Sequence, residues 1–216
     1  MRANGSSCEQ MRQIWEIVFF KPDTFASITH FEVENLYNSL GIVTLPFTPI
    51  KRMKIQHLSL PSYLTAEGFM RILECIPNIK SIEVAWLAVP VAPLTATLPL
   101  LNCTYLKLGL DWHVISLKQF EGLLKMTPNV KTFECTCYNA VDQFLDGNEW
   151  ALIFREYYPE LIKFKLTAYL AYHTMDAAQE TVDNTFNTSS YWLSRNVKVE
   201  KADRSCIVSF DLKTSV

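Results

Sequence analysis

Apolar residues recur along this chain in a fixed pattern. Six times, an apolar residue is followed three and five positions later by two more, and successive groups begin 24 to 31 residues apart. The groups are Ile28/Phe31/Val33, Ile55/Leu58/Leu60, Ile79/Ile82/Val84, Cys103/Leu106/Leu108, Val130/Phe133/Cys135 and Leu161/Phe164/Leu166. Such a period is typical of architectures in which each unit adds one strand and neighbouring units bury each other's apolar edges. We therefore predict one parallel sheet with strands in chain order near 29–33, 56–60, 80–84, 104–108, 131–135 and 162–166.

The segments between these strands predict two kinds of connection. Apolar spacing favours helices over 65–76, 116–126 and 148–157. A proline and then a strand follow each helix, and segments 77–84 and 128–135 share turn, register and polarity, which indicates internal repetition. The connections before Ile55 and Cys103 contain several prolines, so we expect them to be irregular.

The two ends of the chain have patterns of their own. Residues 7–20 predict an amphipathic helix that caps the first strand, since its apolar residues fall on one face. Residues 175–190 are rich in Thr, Asn and Asp and predict a polar surface loop. Two strands, 191–199 and 206–212, are expected to form a capping hairpin over 191–212. The whole chain, 1–216, is interpreted as one domain whose repeats occupy 28–170.

The six triplets and the Pro-Asn-hydrophobic-Lys turns at Pro77 and Pro128 resemble the repeat region of F-box/leucine-rich-repeat proteins. The resemblance implies an α/β fold: a short leucine-rich-repeat-like solenoid with one parallel sheet and mixed helical and irregular crossovers. In that family an F-box recruits the Skp1 arm of a cullin ubiquitin ligase, and the repeats hold the substrate. This chain shows no Leu-Pro-x-Glu-type F-box start, so Skp1 and cullin are expected partners only of a longer form that carries one. The family's Asn or Cys ladder is replaced here by Leu36, Tyr63, Leu87, Asp111, Tyr138 and Tyr169.

If the triplets point inward, the residues that alternate with them point outward in two rows. The central row is Glu32, Ser59, Glu83, Lys107, Glu134 and Lys165, and the row beside it is His30, His57, Ser81, Tyr105, Thr132 and Lys163. We interpret this concave face as a protein-binding surface, because repeat surfaces commonly serve recognition. Its candidate binding residues are His30, His57, Glu83, Tyr105, Lys107, Glu134, Lys163 and Lys165. The alternative is a solvated face whose Glu and Lys pair across strands.

Histidines and cysteines occur here, but not in the number or spacing that a metal site needs. His30 and His57 are predicted neighbours without a third or fourth ligand, so we interpret them as surface histidines and expect no metal site. Cys135 and Cys137 lack a second pair at zinc-finger spacing and are interpreted as packing residues. No nucleotide-binding, hydrolase or metalloprotease motif occurs. We therefore expect no catalytic residues and no cofactor.

Two tryptophans and an acidic cluster are further candidates for a functional role. Trp86 and Trp112 follow the third and fourth predicted strands, in loops that could flank the outward face or bury part of each ring. Asp142, Asp146 and Glu149 lack calcium-loop spacing and are interpreted as caps of the helix that starts near residue 148.

Composition narrows the class of partner. A net charge of −2 with mixed signs disfavours nucleic acid. Residues 84–101 are apolar but interrupted by prolines, which predicts a buried loop and no membrane span. Six cysteines without an apolar leader favour a reducing compartment, cytoplasmic or nuclear. The sequence thus predicts a non-catalytic module for an unidentified protein partner; the alternatives are a small-molecule receptor at the concave face and a scaffold that uses the convex helices.

Overall fold

A computed structural model gives the fold, and it describes residues 2–4, 27–34, 52–88, 98–110, 117–138, 142–170, 175–202 and 205–212. The strands are β1 (Arg2–Asn4), β2 (His30–Glu34), β3 (His57–Thr65), β4 (Ser81–Ala88), β5 (Tyr105–Leu110), β6 (Thr132–Tyr138), β7 (Lys163–Tyr169), β8 (Lys198–Ala202) and β9 (Ser205–Asp211). The helices are α1 (Ala66–Cys75), α2 (Leu117–Lys125), α3 (Asp142–Leu145), α4 (Gly147–Tyr157), α5 (Met175–Phe186) and α6 (Ser190–Leu193).

All the described strands belong to one open sheet of an α/β fold. Their order is β1-β2-β3-β4-β5-β6-β7-β9-β8, and every pair up to β7 is parallel. Only the last two strands are antiparallel: β9 pairs with β7 on one side and with β8 on the other. The predicted parallel sheet in chain order is therefore confirmed, and each of its six strands begins one residue later than the sequence indicates.

The apolar triplets form the buried face of this sheet. Register places Leu106 opposite Ile82 on one side and Phe133 on the other, so the second residues of the triplets make a continuous row. All triplet residues are buried except Ile28, which is half-buried and packs against the same core. Burial of this kind stabilises the fold by about 25 cal/mol for each square ångström of apolar surface removed from water.

Helices α1, α2 and α4 occupy the three connections that the sequence predicts to be helical. Thr65 caps α1 by accepting a hydrogen bond from the amide of Gly68 at 3.0 Å. Asp146 caps α4 in the same way by accepting from the amide of Asn148 at 2.8 Å, which confirms its predicted capping role. The helices bury aromatic side chains against the triplet face, as the 5.6 Å separation of the Trp150 and Phe164 rings shows. The core therefore lies on one side of the sheet.

The polar loop predicted over 175–190 is wrong, because most of this segment forms α5. Ala178, Val182 and Phe186 recur at every fourth position and are buried, so a narrow apolar stripe anchors an otherwise polar helix. Thr185 also accepts a hydrogen bond from the amide of Gly147 at 2.8 Å, which ties α5 to the start of α4. The content of Thr, Asn and Asp concealed this helix, since these residues favour turns when no tertiary contact opposes them.

The strand predicted over 191–199 is also wrong in its first half. Trp192 lies in the helical turn α6, fully buried, and its indole nitrogen donates to the Gly147 carbonyl at 2.7 Å. The predicted terminal hairpin is present as β8 and β9, but it starts at Lys198 instead of Tyr191. Burial of Trp192 with its hydrogen bond satisfied favours the helical turn over an extended strand.

Other expectations fall on or near segments that are not described. The capping helix 7–20, the irregular connections at 35–51 and 89–97, and Trp112 lie outside the described residues. The buried loop predicted over 84–101 is wrong at both ends, because residues 84–88 belong to β4 while Leu98 and Leu101 are exposed.

Across the ranges given above, no helix combines the length and apolarity needed to cross a membrane.

Candidate functional site

The side of the sheet opposite the core carries the two predicted outward rows, and we call it the polar face. Register aligns His30, His57, Ser81, Tyr105, Thr132 and Lys163 in one row, and Glu32, Ser59, Glu83, Lys107, Glu134 and Lys165 in the other. Neighbouring strands lie about 4.8 Å apart, so each side chain can contact the next along its row. The structure thus brings all eight candidate binding residues onto one surface.

Two stacked imidazoles occupy the β2 end of the polar face. The rings of His30 and His57 lie 4.2 Å apart at 16°. Nδ1 of His57 is 2.7 Å from the Ser81 hydroxyl, and Nδ1 of His30 is 3.0 Å from the Thr29 hydroxyl. Because the nitrogen lone pairs of stacked rings lie in parallel planes, they do not converge on one metal ion. Among the described residues, no group of three or more His, Cys, Asp or Glu side chains could hold a metal ion.

The environment of His57 disfavours a charged imidazole. Burial lowers the pKa of His57 below its usual value, and the nearby positive groups of His30 and Lys80 lower it further. Neutral His57 can keep one ring nitrogen as a hydrogen-bond donor and the other as an acceptor. His57 therefore presents an uncharged polar ring at neutral pH.

A shallow cleft of about 190 Å³ lies beside the imidazoles. Its lining includes His30, His57, Ser81, Glu83 and Tyr105. Burial raises the pKa of Tyr105 to about 12, and the carboxylates of Glu134 and Glu83 act in the same direction. The Tyr105 hydroxyl consequently remains protonated at neutral pH and can donate a hydrogen bond to whatever occupies the cleft.

Alternating charges fill the centre of the polar face. Lys107 forms an ion pair with Glu83, and Lys163 lies 3.8 Å from Glu134. The side chains of Lys107 and Glu83 are about two-fifths exposed, and ion pairs at such exposure contribute little stability because water and salt screen them. The cross-strand pairing that the sequence leaves open as an alternative is thus present. It does not prevent recognition, since weak pairs can exchange partners when another protein approaches.

An aromatic stack borders the same face at the carboxyl ends of the strands. The Trp86 ring lies 4.1 Å from that of Tyr138, which lies 5.1 Å from that of Tyr169. The prediction that Trp86 sits in a loop is wrong, because it belongs to β4. Sequence reasoning missed this stack, although Tyr138 and Tyr169 both stand at the position of the missing Asn or Cys ladder.

The strands β4 and β5 are irregularly paired next to Trp86, at Gly109. The β4–β5 register shifts between Val84 and Leu87, so β4 has an extra residue here. A Cβ atom on Gly109 would lie 1.8 Å from the backbone oxygen of Ala85. Glycine therefore suits this bulge, because any side chain at position 109 would collide with the β4 backbone.

A second depression, which we call the lysine trough, lies at the opposite end of the polar face. It has a volume of about 340 Å³ and is formed by β7, β9 and β8. Its lining includes Lys163, Lys165, Lys198 and Ser209. Sequence reasoning assigned the first two lysines to the face but missed the others, because it expected a hairpin capping the last repeat without a register against β7.

The cysteines described in the structure are buried packing residues. Sγ of Cys135 lies 3.6 Å from Sγ of Cys137, and both side chains face the core. Burial raises the pKa of Cys75 and Cys103 to about 12 and that of Cys206 to about 11. Such thiols are poor nucleophiles at neutral pH, because the reactive form is the thiolate.

Comparison with known proteins gives no relative from which a function could be transferred. The chain matches no family model, no curated protein and no solved structure. What the polar face does must therefore be argued from its own geometry.

Proposed function

We propose that this chain is a non-catalytic module that binds a protein partner through its polar face, on a leucine-rich-repeat-like solenoid. The observation that carries the proposal is the register of the two outward rows. Five successive strand pairs hold these side chains at fixed spacing, above a core that is almost fully buried. A rigid surface lowers the entropy cost of association, because few side chains and no backbone need to be ordered.

The centre of the face has the residue types that protein interfaces use. Tyr105 is half-buried and lines the cleft with the imidazole pair, and Lys107, two residues further along the same strand, forms the ion pair with Glu83. An aromatic ring supplies contact area at little entropic cost, and the flanking charges fix orientation and exclude wrong partners. The resemblance to F-box/leucine-rich-repeat adaptors suggests that the partner is a protein delivered for ubiquitin transfer, with Skp1 and cullin recruited by a longer form that carries an F-box.

The test is capture of partners by affinity purification with the double variant Tyr105→Ala/Lys107→Glu. We expect this variant to lose the main captured protein while its melting temperature stays within a few degrees of the parent. A matched control exists on the helical side, where Nζ of Lys125 lies 5.1 Å from the Tyr157 ring. Tyr157→Ala/Lys125→Glu makes the same chemical changes there and should leave capture intact. Loss of capture in the control alone would assign binding to the helices and refute the proposal.

The cleft beside His30 and His57 favours one second candidate, a receptor for a small polar molecule. Its volume of about 190 Å³ is below the usual range of small-molecule pockets, roughly 300–1,000 Å³, so only a compact ligand would fit. Tyr105→Phe separates the two candidates, because it removes the hydroxyl but keeps the ring. A small ligand found by native mass spectrometry should be lost in this variant, whereas protein capture should survive it.

A further inference from the structure

We propose that the lysine trough binds carboxylate side chains of an extended acidic segment in the partner protein. This inference rests on the proposed function, and it names the chemistry of the partner at the β7–β8 end of the polar face. The geometry comes from register: Ser209 on β9 lies directly opposite Lys165 on β7 and Lys198 on β8. A short side chain between two long ones creates a depression with an ammonium group on either wall.

The charge balance across the trough is uneven. Lys163 is 3.8 Å from Glu134, and Asp211 lies opposite Lys163 in the register. By contrast, Lys165 and Lys198 are exposed, and the described residues supply neither ammonium group with an ion pair or a side-chain hydrogen bond. Positive charge is thus in excess on the row through Ser209, where the serine hydroxyl adds a hydrogen-bond donor.

The neighbouring acids decide which anion fits. Glu200 lies two residues beyond Lys198 on the same strand, opposite Ile207, and also lines the trough. Together with Glu134 and Asp211, it would repel a continuous polyanion such as a nucleic acid strand, which presents a phosphate at every step. Separate carboxylates on an extended peptide can approach the two lysines without crossing these acids. Because the trough continues the row through Glu134 and Lys165, the same bound protein can reach both regions.

The experiment uses a fluorescein-labelled, end-capped peptide of alternating serine and glutamate, followed by fluorescence anisotropy. At low salt, where the Debye length exceeds about 10 Å, the peptide should bind the intact chain. Lys165→Gln/Lys198→Gln should weaken binding by about tenfold, the size expected from two partly screened charge contacts. The matched control is Lys54→Gln/Lys131→Gln, which removes two exposed lysines elsewhere on the molecule and should change affinity less than about twofold.

Three results of the peptide assay would overturn the inference. They are equal binding of the glutamine version of the peptide, equal weakening by both double variants, and oligothymidylate or phosphoserine-peptide binding that exceeds that of the glutamate peptide. Partner capture keeps the two proposals distinguishable. If Tyr105→Ala/Lys107→Glu loses the partner but Lys165→Gln/Lys198→Gln keeps it, the proposed function stands and the trough inference fails. If the glutamate peptide binds at the trough while no captured protein depends on Tyr105, the trough inference stands and the proposed function fails.

Discussion

Replacing Phe133 by alanine tests the register on which the polar face depends. Phe133 is the middle residue of the fifth triplet, on β6, and its side chain has no exposed surface. The ring centroids of five aromatic neighbours lie 5.9–6.1 Å from its own: Phe120, Trp150, Phe154, Tyr158 and Phe164. Truncation of the Phe133 side chain leaves a cavity between the helices and the sheet, and neither layer can move enough to fill it.

The expected loss of unfolding free energy is about 4 kcal/mol. Buried Phe→Ala changes cost about 3–5 kcal/mol, and the lost aromatic contacts place this site in the upper half of that range. Since domains of this kind are stable by only about 5–15 kcal/mol, the variant should remain folded at low temperature but unfold much earlier in urea. With a slope of about 2 kcal/mol per molar urea, circular dichroism should record a midpoint lowered by roughly 2 M.

Two companion variants make this result interpretable. Phe133→Leu keeps most of the side-chain volume and should lose less than half as much stability. Leu152→Ala, at a helix position that is 58% exposed, should change the unfolding free energy by less than about 0.5 kcal/mol. If Phe133→Ala proves as mild as Leu152→Ala, Phe133 faces outward. Glu134 would then face the core, and the polar face would be wrongly assigned.

Three further predictions concern single sites. Gly109→Ala should lower the unfolding free energy by about 1–3 kcal/mol in urea titration, because the new Cβ would overlap a β4 carbonyl oxygen. An unchanged urea midpoint would contradict the close approach of β4 to Gly109. Thr127→Val should lower the unfolding free energy by about 1–3 kcal/mol, because the buried Tyr158 hydroxyl, 2.7 Å from Thr127 Oγ1, loses its partner. Adding Tyr158→Phe to this variant should restore part of the lost stability. Additive losses in the double variant would contradict the pairing. His57 should titrate by NMR below its usual pKa of 6.5, and His30→Ala should raise that pKa only in part, because burial is the larger cause. Because the pKa of His57 is lower in the folded chain, the unfolded chain binds this proton more readily. The contribution of His57 to stability is therefore present above pH 6.5 and is lost as the pH falls through the lower folded pKa. An NMR titration midpoint for His57 at or above pH 6.5 would refute this prediction.

The sheet could be predicted from the sequence because the alternation of buried residues within each strand and the repeat length between strands indicate the same architecture. Triplet residues such as Leu106 mark the inward positions of a strand, and the repeat length of 24 to 31 residues restricts each strand to the place beside its predecessor. The segment 175–190 offered no such agreement. Among the described side chains of α5, the buried stripe is Ala178, Val182 and Phe186. The helix contacts α3, α4 and β8, and the composition of the segment does not reveal these partners.

The candidate site could be predicted only where side chains follow the regular alternation of a strand. His30 and His57 are neighbours because parallel strands in matched register place equivalent positions side by side. The Trp86–Tyr138 stack breaks this rule, since it joins strands that are not adjacent and lies where β4 carries an extra residue relative to β5. A bulge changes the alternation without leaving an unambiguous pattern in the sequence. The aromatic border therefore extends the polar face beyond what the repeats alone predict. The lysine trough extends it at the other end, because the register of the terminal hairpin against β7 does not follow from the repeat pattern.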